Sequence, residues 1–333
     1  MSIPIRRISV TADESILNPS KAFTSIFLHP KQMLKHALLK ASVLAVRVSV
    51  FSLAAFLLAI EGTCQDESSP AVSSVKQPPV SKVKTDIPIQ TKRDLVFAEG
   101  DGYTLRADMY RPLSNEICPV VIMIHGGAWI SGDKWNVADH AKQMAKSGFV
   151  VMAINYRLSP KFLWPAHLED CYSALAWVQK NADEWKADLN RVSTWGYSAG
   201  AHLALMTAVN PRESLPKIRA VVAGGAPCDL TFIPKDTRAL VSFLGGTRAD
   251  VPDQYRDASP LTFVSSDDPP VYFFHGDDDF VVPLSNSLKM RDALLTCGVN
   301  ATHNIVTGKG HLLAFLDQES RLQAIAFLKQ HLK

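Results

Sequence analysis

Short apolar segments that alternate with helical patterns are the feature that most constrains the fold of this chain. The amphipathic stretches 168–181 and 285–295 lie between such segments, and the chain ends with an apolar segment at 301–306 and a helical pattern at 318–332. Segments that are apolar on both faces and alternate with helices predict an α/β fold, with a mostly parallel central sheet and helices on both faces. The apolar segments are Val120–Ile124, Phe149–Ile154, Arg191–Trp195, Ala220–Ala223 and Val271–Phe274.

The region before the first apolar segment has a different pattern. Residues 94–110 form two stretches of alternating hydrophobicity on either side of Glu99-Gly100-Asp101-Gly102. Alternation on both sides of a glycine-containing turn predicts an N-terminal antiparallel hairpin. We therefore expect the folded domain to cover residues 94–333. Residues 65–93 are rich in Ser, Pro, Lys, Gln and Val, which is typical of a flexible linker.

Residues 1–64 have the order of an export signal. A basic leader ending at Arg47 precedes the uncharged run 48–60, and small and polar residues follow it. A membrane span needs about 20 apolar residues, so this run is short for one. The order predicts export to the periplasm or the outside of the cell. Three alternatives stay open: a start at Met33, a lipid on Cys64, and an uncleaved membrane anchor through residues 48–60.

Charge and cysteine spacing exclude several classes of partner. The formal net charge of the chain is +3, which is the sum of +4 on residues 1–64 and −1 on the remainder. A body so close to neutral has no electrostatic footprint for nucleic acid. The five cysteines are widely spaced and form no Cys/His cluster, so we expect neither a metal site nor another cofactor. Their spacing leaves disulfide pairing open.

A serine motif stands between a predicted strand and a predicted helix. The segment Gly196-Tyr197-Ser198-Ala199-Gly200 follows the apolar run 191–195 and precedes an apolar helical pattern. A nucleophilic serine requires a sharp turn of this kind, in which flanking glycines avoid collisions. At the N-terminus of a helix, backbone N–H groups also favour developing negative charge. Ser198 is therefore the candidate nucleophile.

A glycine-rich turn ends the strand that contains Ile124. It reads His125-Gly126-Gly127-Ala128. Attack by a serine on a carbonyl creates an oxyanion that needs preorganised donors. The N–H groups of Gly127 and Ala128 on one side and of Ala199 on the other are the candidate oxyanion hole. His125 precedes the serine in the chain, so we expect it to be structural.

The remaining members of a catalytic triad follow the serine. Asp277, Asp278 and Asp279 come directly after an apolar strand, and residue patterns alone leave open which of them is the acid. His311 lies in a glycine-flanked loop after the last strand, where it is the candidate general base. The order nucleophile, acid, base is that of the α/β-hydrolases.

With these motifs the chain resembles the esterase/lipase branch of the α/β-hydrolases that has an HGG-type oxyanion motif. This branch contains hormone-sensitive-lipase-like esterases, bacterial feruloyl-esterase-like proteins and kynurenine formamidases. The resemblance covers about residues 94–333 and extends to connecting segments. These segments are residues 125–134, Asn155–Pro160, Trp164–Asp170 with Trp177, and Ala258–Leu261.

The resemblance implies roles that spacing alone does not assign. It implies that the third residue after His-Gly, Asp279, is the catalytic acid, and it supports the same three oxyanion donors. It implies that Arg157 and Asp170 form a scaffold pair. Ala128 stands where many relatives have a third glycine, which narrows the cavity beside it.

The resemblance also bears on how open the site is. No long helical segment precedes the first core strand, and only residues 227–270 are long enough to cover the site. We therefore expect a small cap or none, with a fairly open pocket. Trp129, Tyr197 and Phe280 are the candidate substrate-binding residues.

These observations predict a serine carboxylesterase that works through an acyl-enzyme intermediate. Its expected substrates are small to medium carboxylic esters, including acyl or aryl esters on polysaccharide. The first alternative is an amidase, peptidase or formamidase of the same fold. The second is a non-catalytic binding relative, which the presence of all three triad residues, Ser198, Asp279 and His311, disfavours.

Overall fold

The computed structural model describes residues 87–232 and 237–333. The predicted export signal 1–64, with its apolar run, and most of the predicted linker 65–93 lie outside the described residues. Within the described ranges, no helix has the length and apolar character needed to cross a membrane.

The described chain forms one eight-stranded sheet with the strand order β1-β2-β4-β3-β5-β6-β7-β8. Strand β2 is antiparallel to both of its neighbours, and all the other pairs are parallel. The predicted fold class is confirmed, including the N-terminal hairpin. The strands are β1 (Ile89–Gly100), β2 (Tyr103–Pro112), β3 (Cys118–Ile124), β4 (Val150–Ile154), β5 (Ala187–Tyr197), β6 (Ile218–Gly224), β7 (Val271–Gly276) and β8 (Ala301–Val306).

Helices cover both faces of the sheet, as the apolar character of its central strands requires. In β3, Val120, Ile122 and Ile124 enter one hydrophobic core, whereas Val121 and Met123 enter the other. The helices are α1 (Ala138–Lys146), α2 (Ala166–Lys180), α3 (Ala182–Trp185), α4 (Ala199–Val209), α5 (Arg238–Leu244), α6 (Pro252–Asp257), α7 (Ser285–Thr296), α8 (His311–Phe315) and α9 (Gln318–His331), with 3₁₀ turns at Lys134–Val137 and Pro260–Phe263.

Helix α4 is the most deeply placed helix of the described part, because all of its residues are buried. A helix that is apolar around its whole circumference is expected to lie inside the protein. The side chain of Thr194 on β5 donates a hydrogen bond of 3.0 Å to the carbonyl of Ala204 on α4. This contact ties the helix to the strand that precedes it.

The hairpin starts earlier than predicted. Strand β1 begins at Ile89, inside the predicted linker 65–93, and residues 89–92 pair with residues 109–112 of β2. Residues 90–93 are exposed. Because residues 90–93 bury no side chain, they show no alternating pattern. Backbone pairing with β2 and contacts such as the 3.0 Å hydrogen bond from Arg111 to Gln90 hold them. This is why the polar composition of 65–93 indicated a linker throughout.

A buried lysine joins the hairpin to the loop that follows β3. The Nζ atom of Lys134 lies 2.9 Å from Oδ1 of Asp94 on β1 and 3.3 Å from Oδ1 of Asp108 on β2. The N–H of Asp94 also donates to Asp108 over 3.0 Å. A buried ammonium group is tolerated only when it is paired, so these carboxylates hold the loop against the hairpin.

The cap is small, as predicted. Between Pro227 and Pro270, the described residues form only α5, α6 and a 3₁₀ turn. Phe243 of α5 is fully buried, and its ring stacks on Trp129 with centroids 4.3 Å apart. The cap is therefore packed onto the loop that follows β3.

We expect Asp108→Ala to destabilise the fold by about 3 kcal/mol, because it deprives a buried lysine of its buried carboxylate. Urea unfolding followed by fluorescence measures this change. The matched control is Lys142→Ala, which removes an exposed ion pair of 3.1 Å with Asp139 and should cost no more than about 1 kcal/mol. Equal losses in the two variants would show that Lys134 does not depend on Asp108.

Candidate active site

The candidate nucleophile lies on a strained turn between β5 and α4. Ser198 has φ 55° and ψ −124°, a conformation that is costly for a residue with a side chain. A Cβ on Gly196 would lie 2.1 Å from the carbonyl oxygen of Gly200. A Cβ on Gly200 would lie 2.2 Å from the carbonyl oxygen of Ile124 on β3. Both glycines are therefore required by close backbone contacts, as the sequence predicts.

The surroundings of Ser198 hold it in this conformation. Its N–H donates a hydrogen bond of 2.8 Å to the carbonyl of Gly224 at the end of β6. Ser198 is only 6% exposed. It also stands at the N-terminus of α4, where unpaired N–H groups and the helix dipole favour negative charge.

Asp279 and His311 form a buried hydrogen-bonded pair. Asp279 follows β7 and His311 begins α8, and the Nδ1 atom of His311 lies 2.6 Å from Oδ2 of Asp279. A carboxylate can only accept, so Nδ1 carries the proton in this contact. In the neutral imidazole, Nε2 is then the basic nitrogen.

The three successive carboxylates have different environments. Asp277 and Asp278 are exposed, whereas Asp279 is buried. Oδ1 of Asp277 accepts a hydrogen bond of 2.7 Å from the N–H of Gly308 in the loop before α8. Among the three, Asp279 is the one that the structure places on His311.

Four donors surround the carboxylate of Asp279. Oδ1 accepts the N–H groups of Val281 and Val282, each over 2.9 Å. Oδ2 is shared between His311 and the Nε2 atom of His275, which lies 3.1 Å away. Burial raises the pKa of Asp279, but the hydrogen bonds from His275 and His311 outweigh it and hold the pKa well below its usual range.

Tyr197 connects His311 to the turn of Ser198. Its hydroxyl donates a hydrogen bond to the carbonyl of His311, and the two rings lie 5.0 Å apart by centroid. Because Tyr197 directly precedes Ser198, this contact keeps His311 beside the nucleophile turn. The structure thus brings Ser198, Asp279 and His311 to the carboxyl edge of the sheet, where sites of α/β proteins lie.

The loop after β3 lies directly against the nucleophile turn. A Cβ on Gly126 would lie 2.8 Å from the carbonyl oxygen of Tyr197 and 3.3 Å from Cβ of Ser198. Gly127 and Ala128 have φ values of 129° and 52°. A positive φ at Ala128 is strained, because the residue carries the Cβ that a glycine would lack.

The N–H groups of the predicted oxyanion hole are available for a ligand. In the described part of the chain, no protein acceptor is paired with the N–H of Gly127 or Ala128. Ala199 is the first residue of α4, where N–H groups have no intrahelical acceptor. The carbonyl of Gly127 accepts the N–H groups of Ile130 and Ser131, which keeps the loop closed on itself.

The three candidate substrate-binding residues differ in exposure. Trp129 is 4% and Tyr197 5% exposed, whereas Phe280 is 73% exposed. The Nε1 atom of Trp129 donates to Nδ1 of His202 on α4 over 3.2 Å. The placement of Trp129 and Tyr197 favours packing over the predicted substrate contact, because their polar atoms are used within the protein. Phe280 is the one whose side chain faces solvent.

The buried histidine that precedes the oxyanion loop has no triad contact. His125 stacks on Tyr156 with centroids 4.3 Å apart, and burial lowers its pKa to about 4. A neutral, stacked imidazole agrees with the predicted structural role. Two other buried histidines near the site, His202 and His275, were not predicted from the sequence. The sequence signal that could have indicated them is their position: His202 is four residues after Ser198, and His275 is four residues before Asp279.

The pair expected from the resemblance is also formed. Arg157 Nε lies 2.8 Å from Oδ1 of Asp170, and the Arg157 N–H donates to Oδ2 over 2.7 Å. This contact joins the loop after β4 to helix α2. Among the described residues, no group of His, Cys, Asp or Glu side chains is arranged to hold a metal ion.

Comparison with known proteins places these features in a family. The sequence profile of the BD-FAE family matches residues 107–294, a range that contains Ser198 and Asp279 and ends before His311. Esterase LipQ of Mycobacterium tuberculosis is 32% identical over 195 residues, which are 54% of this chain and 46% of LipQ. The arylesterase of Saccharolobus solfataricus is 31% identical over 136 residues, 40% of this chain and 44% of the arylesterase.

The solved structure of a truncated carbohydrate esterase from gut microbiota has a similar fold. The TM-score is 0.65 at 24% identity, over 75% of this chain and 98% of that one. The chain spans about half the length of the curated relatives that it matches.

The low pKa of Asp279 predicts how stability depends on pH. A carboxyl whose pKa is lower in the folded protein than in the unfolded chain, where it is about 3.9, stabilises the fold above that pH. This contribution is lost as the pH falls further. We expect the stability difference between wild type and Asp279→Asn to be largest at pH 5–7 and to shrink below about pH 4.

Urea unfolding at a series of pH values measures this difference. The exposed neighbour variant Asp278→Asn is the control and should match wild type throughout. A wild-type advantage over Asp279→Asn that persists undiminished at pH 3 would contradict the assignment.

Proposed function

Because the chain belongs to the BD-FAE family, we propose that it is a serine carboxylesterase that hydrolyses small to medium carboxylic esters through an acyl-enzyme. Membership confirms the predicted place in the esterase/lipase branch of the α/β-hydrolases. The observation that carries the proposal is the buried 2.6 Å pair of His311 and Asp279 beside the strained turn of Ser198. A serine needs this kind of base to become a nucleophile at neutral pH.

The chemistry follows from the placement of these three residues. Oγ of Ser198 attacks the ester carbonyl carbon and gives its proton to Nε2 of His311. Asp279 stabilises the imidazolium, which then protonates the departing alcohol as the acyl-enzyme forms. A water molecule activated by His311 attacks the acyl group, and the carboxylic acid leaves as Ser198 regains its proton.

The negative charge formed in each step belongs on the carbonyl oxygen. We assign its stabilisation to the N–H groups of Gly127, Ala128 and Ala199. One such donor is worth about 10²–10³ in rate. Support comes from the close approach of Gly126 to Ser198, which brings the two sides of this hole together.

Exposed apolar side chains beside the triad support an apolar group on the substrate. Phe280, directly after Asp279, is 73% exposed, and Leu312 and Leu313, directly after His311, are 44% and 55% exposed. Leu316, at the end of the same helix, is 53% exposed. Exposed large apolar side chains that adjoin candidate catalytic residues along the chain are consistent with a binding surface. An aliphatic acyl chain or an aromatic ring fits this chemistry.

The export signal predicted in residues 1–64 supports a further part of this proposal. An exported esterase meets esters outside the cytoplasm, including acyl and aryl groups attached to polysaccharide. The pattern of residues 48–60 supports export, and an uncleaved signal would anchor the enzyme to the membrane. Cell fractionation of the full chain, with and without residues 48–60, tests the location.

We expect Ser198→Ala to lower kcat for p-nitrophenyl acetate by about 10⁴-fold or more, because it removes the hydroxyl that forms the acyl-enzyme. The variant should also lose labelling by a fluorophosphonate. Ser173→Ala is the control, since its hydroxyl only bonds the carbonyl of Glu169 on α2. Full labelling of Ser198→Ala would refute the assignment.

The same assay distinguishes the classes of substrate. A matched anilide separates esterase from amidase activity. Feruloylated or acetylated oligosaccharides show whether the enzyme also cleaves esters that are attached to polysaccharide.

We expect Phe280→Ser to lower kcat/KM for aromatic and long-chain esters by about 10-fold, because apolar contact of one side chain is worth about 1–3 kcal/mol. Hydrolysis of p-nitrophenyl acetate should change little. The control is Ile117→Ser, which alters a 62% exposed residue at the opposite edge of the sheet, before β3. Equal selectivity in wild type and Phe280→Ser would show that this side chain does not contact substrate.

A further inference from the structure

The carboxylate of Asp279 is shared by two imidazoles. Besides His311, the fully buried His275 at the end of β7 places its Nε2 atom 3.1 Å from the same Oδ2 atom. We propose that His275 is a positioning residue that orients Asp279 and divides the charge of its Oδ2 atom with His311. The proposal rests on the esterase function proposed above.

The direction of the hydrogen bond follows from its surroundings. Nε2 of His275 faces two acceptors, Oδ2 of Asp279 and the carbonyl of Val282, which lies 2.9 Å away. An unprotonated nitrogen would repel both oxygens, so Nε2 of His275 carries the proton. In the neutral imidazole, Nδ1 then accepts a hydrogen bond.

A serine and a third histidine supply that hydrogen bond. Oγ of Ser287 on α7 lies 2.7 Å from Nδ1 of His275 and 2.9 Å from Nε2 of His303 on β8. Burial lowers the pKa of His303 to about 3, so His303 is neutral near pH 7. Its buried Nδ1 atom has no partner among the described residues. Because a buried N–H left unpaired is costly, the proton of His303 lies on Nε2.

These contacts form a chain of donors that ends on the carboxylate. His303 donates to Ser287, and Ser287 donates to His275. His275 then shares its single Nε2 proton between the carbonyl of Val282, at 2.9 Å, and Oδ2 of Asp279, at 3.1 Å. The carbonyl of Leu284, which lies 3.1 Å from Oγ of Ser287, already accepts the N–H of Leu288. The unprotonated Nδ1 of His275 needs a donor and lies closer to this hydroxyl, at 2.7 Å, so the proton of Ser287 is directed to His275.

This chain of hydrogen-bond donors has two consequences for the triad. With two backbone donors on Oδ1 and two imidazoles on Oδ2, Asp279 has no freedom to rotate away from His311. Each donor also takes part of the negative charge, so His275 competes with His311 for Oδ2. Since His275 and the Asp279 side chain have no exposed surface, solvent screens this competition weakly.

The charged and titratable groups around this chain of donors define its electrostatic environment. His311 and the phenol ring of Tyr197 lie on the side of α8 and β5. On the side of α7 and β8, Arg291 acts on His303. Nearest to His275 itself are Asp279 and His303. Removing the His275 donor leaves more of the carboxylate charge for His311, which makes its protonated form more stable.

The test compares His275→Leu with His275→Gln. Leucine removes the donor, whereas the side-chain amide of glutamine keeps an N–H group near the place of Nε2. For His275→Leu we expect kcat/KM for p-nitrophenyl acetate to fall about 10-fold. We also expect the acidic limb of its pH profile to move to higher pH by about half a unit or more. His275→Gln should restore most of both.

An unchanged pH profile in His275→Leu would overturn the proposal, because loss of packing alone does not shift the acidic limb of the profile. Equal impairment of His275→Leu and His275→Gln would overturn it as well. Titration of active sites with a fluorophosphonate counts the folded enzyme, so partial misfolding does not enter the comparison. If the wild type itself fails to react with the fluorophosphonate, the proposed esterase function fails. If it reacts normally and the limb stays fixed, only the role of His275 fails.

Two further measurements do not depend on substitution of His275. One is the pH profile of Ser287→Ala, and the other is ¹⁵N NMR, which reports which ring nitrogen of each histidine carries the proton. Removing the Ser287 hydroxyl should shift the limb in the same direction as His275→Leu, by a smaller amount. In histidine-labelled wild type, both His275 and His303 should carry their proton on Nε2. A proton on Nδ1 of His275 with Nε2 unprotonated would reverse the chain and refute the mechanism.

Discussion

The close packing of helix α4 against strands β3 and β5 sets the geometry on which the candidate site depends. Gly196 and Gly200 allow backbone contacts that any Cβ would prevent. Helix α4 is buried along its whole length, so core side chains pack around it and fix its position against these strands. Ser198 is consequently held in a conformation that would relax in a looser turn. The loop after β3 also lies directly against Ser198, so one packing constraint places both the serine and the N–H groups proposed to face the oxyanion.

Buried charges are the second element of this design. Lys134 is paired with carboxylates from two strands of the hairpin, and it ties the loop after β3 to that hairpin. Asp279 accepts four hydrogen bonds at the other end of the site. In both places the cost of removing a charge from water is offset by donors or partners in fixed positions. The site is therefore rigid where charge develops during the proposed reaction.

The small cap and the exposed apolar residues bear on which substrates the proposed enzyme can accept. Phe243 packs on Trp129, so the cap supports the loop after β3. Phe280 and the leucines after His311 stay exposed. The proposed enzyme has a rigid reacting centre beside an apolar surface. Such a surface tolerates variation in acyl chains, since apolar contact discriminates weakly between similar groups.

Most of the fold and the predicted triad could be read from the sequence, because they depend on local rules. Strand β8 spans the predicted residues, and the central strands differ from prediction by a few residues at their ends. Alternation, apolar runs and glycine-flanked turns are properties of neighbouring residues, and they indicated the sheet, the turn of Ser198 and the order of Ser198, Asp279 and His311. The choice of Asp279 among three carboxylates needed a family resemblance.

Tertiary structure alone decided the features that join distant parts of the chain. Nothing in a local pattern predicts that Ser287 lies between His275 and His303, that Lys134 is buried beneath the hairpin, or that Trp129 packs on Phe243. The strand at Ile89 was likewise hidden, because pairing with β2 defines it and its exposed face leaves no hydrophobic pattern. A sequence thus determines elements whose energy comes from neighbours along the chain, whereas the burial and sharing of charges depend on neighbours in space.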